Sequence, residues 1–473
     1  MGDESYLFMV LPFAALLGLI ALGPLWFPEW WGKHYPKVCL VLGAATVLYY
    51  LLFLPGAAAQ KTLQTGEDYV GFIALIGSLF VVSGGIQITV KGEATPLQNV
   101  GFLMTGAVLA NLLGTTGASM LLIRPWLRMN RRRVSGHHVA FFIFIVSNIG
   151  GCLTPIGDPP LFLGYLKGVP FWWVARHCWP MWATGLSILL AIFYVLDRLN
   201  YSRVPAAIRQ ADFEPPDTFR FRGLGNLVFL AIIIAAVLFV EKPRFLRESI
   251  LIAAAAGSYF TTRKSIHEAN QFEWHPLKEV AILFAGIFAT MMPALDWLRQ
   301  HAGGHGTAGP AAFYWGSGLL SSVLDNAPTY LGFLKGLVGM MVDGDAVKTL
   351  QNWIQNHGIE SLDPVPESIR VGLEALRSHH GEALLTGRGG VERIEVAFIL
   401  GNPDLKRYLV AISVGSVFFG ANTYIGNGPN FMVKSIADRQ KVRTPTFLGY
   451  MFKFALPFMA PMLIIVWWLF FRG

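Results

Sequence analysis

The feature that most constrains this chain is an apolar run, Val139–Leu166, long enough to cross a bilayer yet unable to do so as one helix. Its middle reads SNIGGCLTPIGDPPLF over Ser147–Phe162, with Gly150, Gly151, Pro155, Gly157, Pro159 and Pro160 crowded around Asp158. Proline removes a backbone donor and clashes with the preceding turn, so a continuous helix breaks here. Irregular backbone at membrane depth persists only where protein or a water-filled cavity satisfies its polar groups. The run therefore predicts a broken transmembrane helix whose middle lines a site.

The pattern returns once. Ser416–Phe431 reads SVFFGANTYIGNGPNF and aligns with the first segment without a gap. Seven of sixteen positions are identical, among them Ser147/Ser416, Gly151/Gly420, Thr154/Thr423 and Gly157/Gly426, and Asp158 faces Asn427. Two interrupted hydrophobic segments at matching places in two halves point to the binding site of a secondary transporter. Two merely kinked structural helices would not need the same polar positions twice.

Composition agrees with a membrane protein. Of 473 residues, 54% are hydrophobic and 14% charged, with a mean hydropathy of +0.49. In a soluble chain the net charge of +8 would suggest nucleic acid; here it fits arginine-rich cytoplasmic loops, and no nucleic-acid partner is expected. Cys39, Cys152 and Cys178 show no paired spacing, so neither a disulfide framework nor a metal site follows. MGDESYLF is acidic where a signal peptide is basic, so the first apolar run reads as a retained helix.

Taken in order, Tyr6–Phe27, Val38–Leu54 and Tyr69–Val90 read as spans. Asn99–Ile123 reads as a re-entrant hairpin with NLLGTTGAS (Asn111–Ser119) at its tip, then the broken helix, then a span over Cys178–Leu196. The second half repeats this order: Leu224–Val240, Ser249–Thr262 and Lys278–Pro293, a hairpin over Ala311–Met341 tipped by SSVLDNAPTY, a broken helix over Leu405–Ile436, and Phe447–Phe471. The expected fold is an all-α polytopic membrane protein of two inverted-topology repeats, 1–196 and 223–471, joined by a cytoplasmic linker, 197–222. Each repeat has three spans, a re-entrant hairpin, a broken helix and one further span. Arg124, Arg128 and Arg131–Arg133 mark the cytoplasm, as do Lys434, Arg439, Lys441 and Arg443, which places both termini outside. The pair His137–His138 reads as juxtamembrane and solvated. The polar stretch 343–404, with ten acidic and five basic residues, reads as an extracytoplasmic insertion. It carries two amphipathic helices, Ala346–Asn356 and Glu367–His379, whose apolar faces are Leu350, Trp353 and Ile354, and Ile369, Leu373 and Leu376.

An ionisable residue inside a bilayer is a functional candidate because it costs about 2.5–3.5 kcal/mol to insert. Two carboxylates fall in the interrupted segments, Asp158 and Asp325, each able to hold a proton or a small hard cation, or to cap a half-helix. Oxygen-bearing neighbours accompany them: Asn111, Thr115, Thr116, Ser147, Asn148, Thr154, Asn326, Thr329, Asn422, Thr423 and Asn427. Na⁺ wants such oxygens, and Asp325, Asn148, Thr154, Asn422 and Thr423 are the expected ligands. No Walker A motif is present, no HExxH occurs, and Cys152 lacks an adjacent membrane histidine, so neither an ATP-driven pump nor an intramembrane enzyme is expected, and no cofactor.

SNIGGCLTPIGDPPLFLGYLKGVPFWW, DNAPTYLGFLK and GANTYIGNGPNFMVK resemble NhaD-type sodium/proton antiporters of the ion transporter superfamily, which also holds citrate, dicarboxylate and arsenite transporters. The resemblance implies a homodimer in the bacterial inner (plasma) membrane, with a scaffold and a mobile unit of hairpins and broken helices moving like an elevator. It also implies that Asn111–Thr116 works with Ser147–Thr154, and Asp325–Thr329 with Asn422–Asn427. The expected function is exchange of Na⁺ or Li⁺ for H⁺, with a cation-coupled organic-anion carrier as the alternative. The tips read GTTG and DNAPT where dicarboxylate carriers have Ser-Asn-Thr, and no Arg or Lys lies at the segment cores.

Overall fold

The computed structural model describes residues 3–53, 57–90, 94–203, 220–240, 243, 245–301, 308–359, 361, 364–379 and 390–472. Among these the chain is helical almost throughout, and six helices are long and apolar enough to cross a membrane. With shorter apolar helices beside them, this is an all-α polytopic membrane protein. Most of the expected linker (204–219) and part of the insertion (360, 362–363 and 380–389) lie outside the described residues.

One group of helices packs together and is called the scaffold: Asp3–Trp26, Pro28–Phe53, Ala57–Gly84, Asn226–Phe239, Leu246–Thr261 and His275–His301. Small residues let their backbones approach, because dispersion and not water exclusion drives helix association in lipid. A Cβ added to Gly286 would come within 2.9 Å of Cys39, and one on Gly43 within 3.2 Å of Ala289. Phe72 packs against Phe284 and Phe288, with ring centroids 4.6 and 5.6 Å away. Lys61 and Tyr50 both bind the Asp296 carboxylate, which neutralises a charge within the scaffold. The helices starting at Pro28, Ala57 and Phe171 begin well before the expected spans at Val38, Tyr69 and Cys178. Charged residues such as Lys33, Lys37, Glu67 and Asp68 end an apolar run without ending a helix.

The span expected to reach Val90 stops at Gly84. Gln87–Thr89 instead pairs antiparallel with Arg220–Arg222, which tethers the end of the third helix to the start of the second half. Gly223 (φ +77) permits the tight approach, since a Cβ there would lie 2.1 Å from Gly85 O. Asn226 donates to Gly85 O (2.8 Å), and Asn270 donates to Gly84 O and Ile86 O (both 2.8 Å).

The second group contains the interrupted segments. Pro96–Met129 is one run of helix reversed at Gly114, which has φ +73 and ψ 154. A straight helix of that length would hold its ends roughly 50 Å apart. Here Ala94 N donates to Met129 O (2.9 Å), and Asn99 and Asn130 exchange amide hydrogen bonds of 2.8 and 3.0 Å. The two arms therefore form a hairpin with its tip at Gly114. Pro310–Val323 and Asn326–Met341 make the second hairpin, with Phe313 against Phe333 at 6.0 Å.

Between the hairpins lie the two broken helices, Gly136–Ile145 with Pro159–Leu166, and Pro403–Phe419 with Gly428–Arg439, each carrying one short 3₁₀ turn at the break. Inside each break two backbone strands touch at glycine. A Cβ on Gly157 would lie 2.2 Å from Gly151 O, and one on Gly426 would lie 2.6 Å from Gly420 O. Phe171–Ser202 and Phe447–Phe470 flank this group; the latter holds a π-helical stretch, Met451–Met459, around Pro457.

The histidine pair is not solvated. His138 is fully buried, and its Nε2 lies 3.1 Å from Asp197 Oδ1, with His137 Nε2 at 3.6 Å. Asp197 was expected to open the linker but sits inside the helix Phe171–Ser202, paired with Arg133 and accepting a 2.8 Å bond from Asn99. His137, His138 and Asp197 have the ligand types for a metal. Ser135 N–H, however, donates to His138 Nδ1 (3.3 Å), which leaves the ring proton on Nε2 facing the carboxylate, and Arg133 holds the same oxygen. The cluster closes the base of the first hairpin as a buried ion pair with imidazole neighbours.

In the insertion, Gly344–His357 and Glu367–His379 bury Val347, Leu350, Ile369, Leu373 and Leu376 on the expected faces. A third helix, Val391–Gly401, was not expected, because its charges Glu392, Arg393 and Glu395 interrupt its apolar periodicity.

Two outcomes follow from this packing. Arg133→Met should destabilise the protein by about 3–5 kcal/mol by leaving Asp197 buried and unpaired, and adding Asp197→Leu should restore most of the loss. Gly157→Ala should cost at least about 1–3 kcal/mol, whereas Gly428→Ala, whose Cβ meets nothing within 4 Å, should be near neutral. Unfolding midpoints of the purified protein in detergent test both.

Candidate functional site

Four helices begin at one place. Thr115 opens the return arm of the first hairpin and Asn326 that of the second, while Asp158 and Asn427 precede Pro159–Leu166 and Gly428–Arg439. Helix N-termini present unpaired N–H groups and the positive end of the helix dipole. At their meeting point is the Asp158 carboxylate, 1% exposed. Thr115 Oγ1 donates to Oδ1 (2.7 Å), Asn326 Nδ2 to Oδ2 (2.6 Å) and Asn427 Nδ2 to Oδ1 (3.1 Å). The three donors are a hydroxyl and two amides, none cationic. Neither Asp158 nor Asn427 caps its own helix through its side chain; the two turn toward each other.

The surrounding side chains satisfy the broken backbone. Thr154 Oγ1 donates to Asn111 O (2.6 Å) and accepts from Gly157 N (3.0 Å). Thr423 Oγ1 donates to Ser322 O (2.6 Å) and accepts from Gly426 N (3.0 Å), which is the same device in the second half. Asn111 donates to Gly150 O (2.7 Å) and accepts from Leu153 N (2.9 Å). Asn148 donates to Ile143 O (2.8 Å) and Asn430 Oδ1 (2.7 Å), and Ser147 Oγ lies 2.7 Å from Ser119 Oγ. Asn422 donates to Ser322 Oγ (2.9 Å). The carbonyls of Asn111, Gly150, Ser322, Gly420 and Thr423 thus each accept a side-chain hydrogen bond.

Asp325 stands apart from this centre in role. It is the N-cap of its own helix, accepting from Ala327 N (3.1 Å), and its carbonyl accepts from Thr329 Oγ1 (3.0 Å). Thr116 lines a small cavity beside Asp158, together with Gly114, Thr115 and Pro155 from the interrupted segments and Leu75 and Leu79 from the scaffold. Its volume of about 20 Å³ has room for one water. Asn326 Oδ1 is buried with no hydrogen-bond partner among the described residues, so the site holds an unspent acceptor as well as three donors.

Several members were not found from sequence. Asn430 bridges Gly420 O (2.8 Å) and Thr423 O (2.9 Å), but the repeat alignment sets it opposite Leu161, which hid it. Ser321 donates to Ser416 O (2.6 Å), and Trp182 donates to Gly150 O (3.1 Å). The Ser-Ser pair preceding Asp325 was the available signal for Ser321 and Ser322; Trp182 had none.

A protein-family profile described as "Putative citrate transport" matches residues 2–471. Uncharacterized transporters of Mycobacterium bovis and Mycobacterium tuberculosis are each 26% identical over 335 residues, covering 65% of this chain and 76% of theirs. A 46 kDa membrane protein of Mycobacterium leprae is 22% identical over 333 residues, with the same coverage. A multi-pass helical bundle with this interrupted, polar centre and a match over nearly its whole length belongs to the family of that profile, and is a membrane transporter.

Proposed function

We propose that the protein is a secondary transporter that carries a carboxylate-bearing organic anion of the citrate class together with protons. The observation that carries this reading is the Asp158 carboxylate held by Thr115, Asn326 and Asn427 where four helix N-termini meet. Such a place favours negative charge without a lysine or arginine. In the described conformation Asp158 itself takes the donors. A substrate carboxylate can take them only when Asp158 gives up its charge, so anion binding and protonation of Asp158 are linked.

Alternating access would follow from the two halves. The matching Thr154 and Thr423 contacts, and the correspondence of Thr115 with Asn326 and of Asp158 with Asn427, support two repeats, 1–196 and 223–471. The resemblance supplies the rest of this reading: inverted topology with both termini outside, re-entrant hairpins, an elevator-like movement against the scaffold, and pairing of the scaffold with a second copy. Exchange of Na⁺ or Li⁺ for H⁺ is the second reading, favoured by one observation, the Asp158 carboxylate at the centre with Asp325 next to its donor Asn326. Against it weighs that Asn148, Thr154 and Thr423 already donate to the Ile143, Asn111 and Ser322 carbonyls.

Proteoliposomes test the two readings together. Citrate uptake should be driven by an inward proton gradient and rise as the outer pH falls, with apparent affinity changing up to about tenfold per pH unit above the Asp158 pKa. Asp158→Asn should abolish the pH dependence and the gradient-driven accumulation, and Thr115→Val should weaken citrate binding. If citrate stays outside while NaCl or LiCl alkalinises acid-loaded vesicles, the anion reading fails and the antiporter takes its place.

A further inference from the structure

Away from the centre, six charges alternate in sign along one line. Asp68 binds Lys167 (2.6 Å), Lys167 binds Glu392 (2.7 Å), and Glu392 binds Lys335 (2.8 Å). Lys335 also meets Glu395 (3.3 Å), and Glu395 binds Arg299 (2.6 Å). The two ends belong to the scaffold, Asp68 on Ala57–Gly84 and Arg299 on His275–His301. The inner four do not. Lys167 ends the first broken helix, Lys335 lies on the return arm of the second hairpin, and Glu392 and Glu395 lie on Val391–Gly401, which runs directly into Pro403–Phe419.

We propose that the helix Val391–Gly401 is a latch: Glu392 and Glu395 bind the ends of the hairpin and broken helix into one charged cluster, which Asp68 and Arg299 hold against the scaffold. This rests on the transporter reading only in that the hairpins and broken helices must move relative to the scaffold. Any such movement has to break Asp68–Lys167 and Arg299–Glu395, because those links cross between the groups. The links among the inner four charges do not cross and can travel intact.

Burial and close packing support the assignment. The Glu395 side chain is 1% exposed and that of Lys167 9%, so these charges depend on one another for solvation. Burial alone would raise the Glu392 carboxyl, but Lys167 and Lys335 hold it well below the ordinary carboxylate range, so mild acid does not discharge it. The backbones fit as closely as the charges. A Cβ on Gly168 (φ +108) would come within 3.0 Å of Arg393 Cα, and one on Gly339 within 2.4 Å of Arg299 O. Gln64 adds a third crossing contact, donating to Glu392 Oε2 (3.2 Å). The insertion thereby gains a role in the transport unit beyond decorating its surface.

Amide hydrogen exchange on the purified full-length protein in nanodiscs tests this without any substrate, so failure of the citrate reading leaves the result interpretable. The double variant Asp68→Asn, Arg299→Gln cuts the two ionic scaffold links and leaves Gln64 on Glu392, with Lys167 and Lys335 still paired with Glu392 and Glu395. Exchange should quicken roughly tenfold in 326–341 and 391–401, with 28–53 and 275–290 unchanged, and Asp68→Glu should keep the wild-type protection. Unchanged protection in the double variant would overturn the latch. So would an equal loss across the scaffold helices, which would mark the links as general stabilisers.

Discussion

The fold depends on one constraint: where two interrupted helices cross inside the membrane, every freed backbone group needs a partner from the protein. Side chains meet much of that need. Thr154 and Thr423 each take one carbonyl and one N–H, while Asn111 and Asn430 hold the carbonyls left by the broken turns. Glycine is required at the crossings because the opposing carbonyl occupies the space a Cβ would fill. An unmade hydrogen bond here costs several kcal/mol, since no water stands by to replace it. The polar residues of the breaks are therefore first a solution to a backbone problem.

That solution separates two kinds of polar group. Side chains that brace the backbone are spent, and they include several that a cation site would have wanted. Those left at the centre, Thr115, Asn326 and Asn427, converge on Asp158. The halves differ at the one position that matters most, where a carboxylate in the first faces an amide in the second. The proposed link between an anion and a proton rests on this near-symmetric cradle of donors around the Asp158 carboxylate.

Charge is distributed to match. The centre uses neutral donors and helix ends, which favour an anion without trapping it by a fixed cation. Among the described residues, two sets of ion pairs stand where hairpins, broken helices and scaffold meet: Arg133 with Asp197 at the base of the first hairpin, and the chain from Asp68 to Arg299 beside the second. Buried pairs of this kind add little net stability but penalise misalignment strongly. They suit contacts that define discrete positions of one unit against another.

The sequence by itself determined the membrane class, the two broken segments, their correspondence and the polar tips, because glycine, proline and hydropathy act locally and leave their pattern in the chain. It could not say which of eleven hydroxyl and amide residues would be spent on backbone and which would face Asp158, since that turns on contacts between segments 39 to 269 positions apart. The sequence offered both Asp158 and Asp325 and set Asp325, not Asp158, among the expected Na⁺ ligands; packing makes Asp158 the acceptor of three donors and Asp325 the cap of its own helix. His137 and His138 read as solvated because Asp197, some sixty residues on, was invisible as their neighbour. The helix Val391–Gly401 escaped notice because its buried carboxylates look like surface charge until Lys167, Lys335 and Arg299 are brought to them. Local chemistry wrote the elements, and long-range pairing of polar groups in a medium without water decided what each one does.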